Sequence, residues 1–318
     1  MRRLFIVLVF LLGAGFTSEA QAQTCSASPS GVIFGSVSPI ALNPVANTGT
    51  INITCTWTAI TLTPSVLVCL NLTGPSPRAM TNGTNSLSYD LFTDSGHTVK
   101  WGSALAGGTP LSVTLNKPAG TTLSASVTIF GQVAMNQPTV PSVNSSDTIY
   151  SETVPAANTS LNYSFYVLIP PTCATLPISN GSFSFTNTAT VVNNCNITTS
   201  NMGFTASGVL KSALAASSSI TARCTNGDMW RIGLSAGSSG NVAARQMQRV
   251  GGGGAVNYQL YTDSGFTTAW GDGTGGTTTV TGVGTGNQQV ITVFGRVPAQ
   301  TTPAPGDYSD TITATITF

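Results

Sequence analysis

The sequence has few charged residues and a single histidine. Only 7% of its 318 residues are Asp, Glu, Lys or Arg, and the 11 basic residues nearly balance the 10 acidic ones. A chain this neutral lacks the charged face that attracts nucleic acid or an anionic membrane surface. His97 is the only histidine and no Cys-x-x-Cys pair occurs, so metal-binding and acid–base motifs are also missing. We therefore expect no nucleic-acid partner, no enzymatic activity, no metal and no other cofactor.

Long apolar segments are absent as well. After the first 22 residues, no segment approaches the roughly 18 uninterrupted apolar residues that a membrane helix needs. The apolar run at residues 4–12 is shorter, follows two arginines and precedes a small-x-small motif at residues 20–22. This arrangement is typical of a secretory signal peptide. We predict that residues 1–22 are the signal peptide and that the mature chain, starting at Gln23, is exported and either soluble or assembled.

Thr, Ser, Gly, Val and Asn dominate what remains, and apolar residues alternate with polar ones, as in residues 311–318. Alternation with a period of two is the pattern of half-buried strands. The sequence therefore predicts an all-β fold, and its length suits two domains of about 150 residues.

An internal repeat supports this division. Residues 89–102 and 258–271 match at nine of fourteen positions, and each reads as a strand, an Asp-Ser-Gly turn and a returning Trp. We interpret Asp94 and Asp263 as residues that cap these turns. We predict two tandem immunoglobulin-like β-sandwiches, residues 23–192 and residues 193–318.

The repeat also limits the pairing of the six cysteines, which in an exported chain predict disulfides. Cys25 and Cys55 in the first copy stand where Cys195 and Cys224 stand in the second. We therefore predict the bridges Cys25–Cys55 and Cys195–Cys224. The two cysteines without counterparts are left to each other, as Cys69–Cys173.

The first copy carries apolar residues in three insertions that the second copy lacks. Apolar clusters on a surface mark contact sites, so we predict surface-binding loops at Trp57, Ile60, Leu62, Pro64, Leu105, Val140 and Val143. The alternative is that these side chains fold back as small satellite cores. A polar, lectin-like pocket would instead draw on Asn136, Gln137 and Asn144.

The two copies also end differently. The second stops at Phe318, whereas the first continues until Cys195 through a segment, residues 182–191, that alternates like a strand. We expect this segment to complete the first sandwich and the second sandwich to lack its final strand. A sandwich in that state requires a strand from another chain. Only Gln23 and Thr24 precede Cys25 in the predicted mature chain, so we expect it to accept a strand without giving one.

Four motifs of the chain carry a family resemblance. They are the repeated Cys…Phe-Gly start, the Arg-x-Met at residues 78–80 and 245–247, the Tyr-x-Leu…Trp-Gly signature and the Gly-Asp-Tyr-Ser-Asp-Thr-Ile ending at residues 306–312. Together they resemble the motifs of the spore coat protein U domain family. The chain is similar to its two-domain members, the Csu-type tip adhesins of archaic chaperone–usher pili. That resemblance implies a distal adhesin domain and a pilin domain, escorted by a periplasmic chaperone and an outer-membrane usher. It also implies an adjacent pilin that donates a strand, export through the periplasm to a pilus tip on the cell surface, and attachment to abiotic or host surfaces in biofilms. A lectin-like pilus adhesin and a minor structural pilin are the alternative functions.

Overall fold

The computed structural model describes residues 23–176 and 179–318, and the predicted signal peptide lies outside these ranges. The described chain is all-β, as predicted, and forms two tandem sandwiches. Its helices are four single turns of 3-10 helix at Ala104–Ala106, Ala156–Asn158, Cys173–Thr175 and Gly237–Ser239. No helix in the described ranges has the length and apolar character needed to cross a membrane.

In the residues that the structure describes, the first sandwich has eleven strands. They are β1 (Thr24–Pro29), β2 (Ile33–Val37), β3 (Val45–Thr56), β4 (Ser65–Leu72), β5 (Arg78–Asn82), β6 (Asn85–Phe92), β7 (Leu111–Asn116), β8 (Thr122–Val133), β9 (Thr148–Val154), β10 (Thr159–Tyr166) and β11 (Phe185–Val191). One sheet has the order β1-β3-β8-β6-β5-β9-β11-β2 and the other β10-β4-β7. The inward side chains of both sheets form one apolar core, as the alternating pattern predicts.

The second sandwich repeats this plan with nine strands. They are β12 (Cys195–Thr199), β13 (Leu214–Cys224), β14 (Met229–Leu234), β15 (Arg245–Arg249), β16 (Ala255–Tyr261), β17 (Val280–Val283), β18 (Gln289–Val297), β19 (Tyr308–Ser309) and β20 (Ala314–Thr317). Its sheets have the orders β12-β13-β18-β16-β15-β19 and β17-β14-β20. Among the described residues, no strand of this sandwich corresponds to β2 or β11, so the prediction that its final strand is missing is confirmed. The boundary between residues 192 and 193 stays a prediction.

The three predicted disulfides are present. Cys25–Cys55 joins β1 to β3, and Cys195–Cys224 joins the equivalent strands β12 and β13. Cys69–Cys173 ties β4 to the segment that leads into β11. The two equivalent bridges each fix the first strand of a sandwich to its neighbour.

The repeated signature has a structural role in both sandwiches. The indole N–H of Trp101 donates to the Leu70 carbonyl at 2.8 Å, and that of Trp270 donates to the Ile232 carbonyl at 3.1 Å. Each Trp thereby links its loop to the central strand of the small sheet.

The aspartates of the signature cap its turns, as predicted. Asp94 accepts from the backbone N–H groups of Thr98 and Val99, and Asp263 from those of Thr267 and Thr268. These hydrogen bonds stabilise the carboxylates and hold the pKa of Asp94 and of Asp263 below the ordinary value.

Candidate functional site: an open groove and an apolar pole

Strand β11 fills a gap in the first sandwich. It pairs antiparallel with β9 over seven residues and parallel with β2, so hydrogen bonds reach it from both sides. Its inward side chains, with Phe183 just before the strand, alternate with exposed or half-buried ones; they are Phe183, Phe185, Asn187, Ala189 and Val191. The first sandwich is therefore completed by its own chain, as the sequence predicted.

The same place in the second sandwich is open. Strand β19 has two residues where β9 has seven, and residues 202–207, which correspond to β2 and the residue before it, form no strand. A cavity of about 400 Å³ runs between them. We call it the open groove; its floor and walls include Met202, Phe204, Ile220, Leu234, Met247, Tyr258, Leu260, Val293, Tyr308 and Ile312.

The equivalence of the two places rests on packing. A Cβ on Gly131 would lie 2.7 Å from the Phe34 ring and 2.9 Å from Val32. A Cβ on Gly295 would lie 2.2 Å from Met202 and 2.9 Å from the Phe204 ring. In each sandwich, two large side chains pack directly on the glycine, so no residue with a Cβ fits there. Residues 202–204 therefore take the place of residues 32–34.

Side chains that are buried in the first sandwich are only partly buried in the open groove. Phe34, Met80 and Tyr150 lie in the first core, whereas their counterparts Phe204, Met247 and Tyr308 are partly exposed. An apolar groove between two unpaired strand edges is a site for strand addition.

The centre of the open groove is polar. In the first sandwich the Tyr89 hydroxyl donates to Glu152, which also forms a 2.6 Å ion pair with the buried Arg78. In the second, the Tyr258 hydroxyl donates to Asp310 at 2.7 Å. Burial and this hydrogen bond raise the pKa of Tyr258, so the phenol stays protonated.

The arginine of this centre differs between the sandwiches. Arg245, the counterpart of Arg78, donates instead to the carbonyls of Leu234, Ser235 and Trp270. The carboxylate of Asp310 therefore faces the open groove without the arginine that its counterpart has.

A second candidate surface lies at the far end of the first sandwich. The loop 57–64 leads into β4, and the segment after β10 lies beside it, because Ser65 and Tyr166 are paired. Four apolar side chains project here: Ile60 is 93% exposed, Leu62 87%, Leu168 86% and Ile169 85%. We call these four residues the apolar pole.

Four of the predicted loop residues, Trp57, Leu105, Val140 and Val143, are not available on the apolar pole. Trp57 is wholly buried, and its ring packs edge-on against that of Phe165 with the ring centroids 5.6 Å apart. The predicted surface role of Trp57 is therefore wrong. Val140 is also buried, and Leu105, although exposed, lies at the other end of β4, where Ala104 N–H donates to Asn71. Pro64 is exposed in the loop 57–64, and its carbonyl accepts from Lys117 N–H at 2.7 Å.

The insertion between β8 and β9, which contains Val140 and Val143, joins the two sandwiches instead of forming a free surface. Ser142 donates to Asp228, and Asn226 donates to the Thr139 carbonyl at 3.1 Å. Val143 is exposed and lies in the same loop, between Ser142 and Ser145, whose hydroxyl accepts from Met229 N–H. The junction occupies the pole of the first sandwich opposite the apolar pole.

Two of the three polar residues of the lectin alternative, Asn136 and Gln137, have side chains that are engaged at this pole. Gln137 bonds to the backbone of Ser88 and Ala134, and Asn136 accepts from Arg223 of the second sandwich at 2.5 Å. They form structural contacts here.

Sequence reasoning missed Leu168 and Ile169. The signal was present, because the apolar run at residues 167–169 ends in two prolines and has no counterpart in the second copy. The run lies outside the loops for which the sequence predicts surface contact, and only the pairing of Ser65 with Tyr166 shows that it adjoins Ile60 and Leu62.

Comparisons with known proteins agree with this architecture. The family model of the Spore Coat Protein U domain matches residues 14–170 and 181–315. A crystal structure of the CsuC–CsuE chaperone–tip adhesion subunit pre-assembly complex, from archaic chaperone-usher Csu pili of Acinetobacter baumannii, is similar with a TM-score of 0.54 at 17% identity, covering 93% of this chain and 100% of that one.

Two further structures have lower scores. CfaE, the adhesive subunit of CFA/I fimbria of enterotoxigenic Escherichia coli, has a TM-score of 0.30 at 8% identity over 93% of both chains. AggA, the major subunit of aggregative adherence fimbriae type I from Escherichia coli, has 0.23 at 14% identity over 54% of this chain and 95% of its own. No curated protein matches the chain. Since the family model matches both sandwiches, the chain belongs to the Spore Coat Protein U domain family.

Proposed function

We propose that the chain is an adhesive pilus subunit. Its second sandwich joins the fibre by accepting a strand from an adjacent subunit, and the apolar pole of its first sandwich contacts surfaces. A periplasmic chaperone holds the open groove before assembly, and an outer-membrane usher exchanges the chaperone for the neighbouring subunit. The exported protein then stands at the tip of the pilus and mediates attachment and biofilm formation.

One observation carries the proposal: the open groove lies where β11 lies in the first sandwich. The first sandwich supplies a template for the missing strand, which would run antiparallel to β19 and parallel to residues 203–207, as β11 does to β9 and β2. An incoming strand would bury Met202, Phe204 and Tyr308 and pair the two free edges. Both changes stabilise the sandwich.

The geometry of the two ends supports a tip position. The junction with the second sandwich occupies one pole of the first, and the four exposed side chains occupy the other. A fibre attached through the second sandwich would therefore present Ile60, Leu62, Leu168 and Ile169 outward. Strand β1 is engaged within the first sandwich through β3 and the Cys25–Cys55 bridge.

The test is a fusion that supplies the strand. Residues 182–192 are repeated after Phe318 through a flexible linker, and the control fusion carries Asp in place of the residues that correspond to Phe185 and Val191. We expect the first fusion to be a soluble monomer that melts well above the unfused chain, because the new strand binds only the folded state. The control should behave as the unfused chain does. Equal melting temperatures for all three proteins, with the unfused chain monomeric, would refute the proposal.

A further inference from the structure

The inward face of β11 is not uniformly apolar. Asn187 lies at its centre, fully buried between Phe185 and Ala189 on the same face. A buried amide is stable only where its donors and acceptors are paired. The partners of this amide therefore show what the centre of the groove requires.

Asn187 forms hydrogen bonds with both walls of the first sandwich. Its Nδ2 donates to the Tyr89 hydroxyl at 2.7 Å, and its Oδ1 accepts from the Val32 backbone N–H at 2.9 Å. Tyr89 in turn donates to Glu152. The tyrosine hydroxyl is thus a donor to the carboxylate and an acceptor from the strand.

In the described part of the chain, the open groove contains the counterparts of Tyr89, Glu152 and Val32 but no counterpart of Asn187. The Tyr258 hydroxyl donates its only proton to Asp310, so its remaining capacity is that of an acceptor. Met202 takes the place of Val32, and no group in residues 23–176 and 179–318 accepts from its backbone N–H. By the equivalence of the two sandwiches, one acceptor and one donor therefore belong to the two walls of the groove at the level that Asn187 has in the first sandwich.

The negative charge of Asp310 also favours a hydrogen-bond donor at this position of the incoming strand. Asp310 accepts from Tyr258 and from the backbone N–H groups of Ser238 and Thr311, but not from Arg245. A carboxylate lacking its arginine favours a hydrogen-bond donor from the incoming strand and disfavours an acidic one.

We propose that the strand completing the second sandwich carries an asparagine at the inward position level with Tyr258, with apolar side chains two residues before and two residues after it. This inference rests on the proposed function, since it describes the strand that the open groove receives. The amide fixes the register of the strand, because a shift of two residues would place an apolar side chain on the Tyr258–Asp310 pair and the amide against apolar walls. Leu is close to Asn in shape but can pair with neither Tyr258 nor Met202 N–H.

The test uses synthetic peptides and the mature chain, residues 23–318. The parent peptide has the sequence of residues 183–191, and a second has Leu in place of its Asn. A third, the matched control, has Ser in place of the outward Thr that corresponds to Thr188. Affinity is measured by fluorescence anisotropy of the labelled peptides, and hydrogen exchange at residues 308–312 verifies that the second sandwich is the one occupied.

We expect the Leu peptide to bind the chain at least tenfold more weakly than the parent, although Leu is the more apolar residue, and the Ser control to bind as the parent does. In the Tyr258→Phe chain the ratio between parent and Leu peptides should shrink several-fold, since one hydrogen bond is already lost. Equal or tighter binding of the Leu peptide to the unmodified chain would overturn the inference while leaving strand acceptance intact. Failure of every peptide to protect residues 308–312 would overturn strand acceptance as well.

Discussion

Replacing Ile60 and Leu62 with Ser should weaken adhesion without weakening the fold. Both side chains are nearly fully exposed, so their removal leaves no cavity. Complete burial of such a side chain is worth roughly 1.5–3 kcal/mol, and contact with a flat surface covers about half of it, so each contributes about 1 kcal/mol. The double variant then loses about 2 kcal/mol per tip, or roughly a thirtyfold change in the equilibrium constant.

In the proposed role, a single tip would bind weakly, because association itself costs several kcal/mol. Many fibres on one cell would multiply the contact, and a loss at each tip would be multiplied in the same way. The assay is retention of piliated cells on polystyrene after washing, alongside the rupture force of single fibres. Since the contact is apolar, salt should change either measurement little.

The matched control makes the same chemical change elsewhere. Val283 and Val290 are exposed apolar residues of the second sandwich, far from the apolar pole. Replacing both with Ser should leave retention and rupture force unchanged. Retention of the Ile60/Leu62 variant at the level of the unmodified protein, or loss of attachment when a free sugar is added, would refute the apolar mechanism.

Three further predictions concern stability. Trp57→Ala should lower the free energy of unfolding by about 3–5 kcal/mol, measured by denaturant titration, because it empties a core site. The folded-state pKa values of Asp94 and Asp263 are lowered, so the two carboxylates stabilise the fold at pH values above the ordinary pKa of 3.8, and this stabilisation is lost as the pH falls through their folded-state pKa values. Melting curves of the double Asn variant should not show this loss. Burial raises the pKa of Asp228, so Asp228→Asn should raise the melting temperature, relative to the unmodified chain, more at pH 7 than at pH 4.

Elements that repeat within the chain could be predicted from the sequence. Cys25–Cys55 and Cys195–Cys224 recur because each sandwich fastens its first strand to the next one. The turn aspartates recur because their hydrogen bonds are local, from residues four and five positions later in the chain. Local geometry repeats whenever the sequence repeats, so comparison of the two copies was sufficient.

The insertions could not be placed in this way, because their environments are set by distant residues. Trp57 reads as a loop residue but packs on Phe165, which lies on β10. Val140 reads as a surface residue, yet its loop approaches the second sandwich so closely that Gly286 could not carry a side chain: a Cβ there would lie 1.9 Å from the Pro138 carbonyl oxygen. Contacts that only one copy makes have no counterpart in the other copy, so comparing the two sequences cannot predict them.

Strands β9 and β19 show that neighbours can decide whether a segment is a strand at all. Their sequences alternate alike, with Ile-Tyr-Ser-Glu-Thr-Val at residues 149–154 and Asp-Tyr-Ser-Asp-Thr-Ile at residues 307–312. Propensity therefore does not explain why one strand has seven residues and the other two. Strand β9 has β11 along one edge, and β19 has no described strand there. A strand bound in the open groove should extend β19 toward Ile312, and the protection of those amides from exchange would be the direct measure of its arrival.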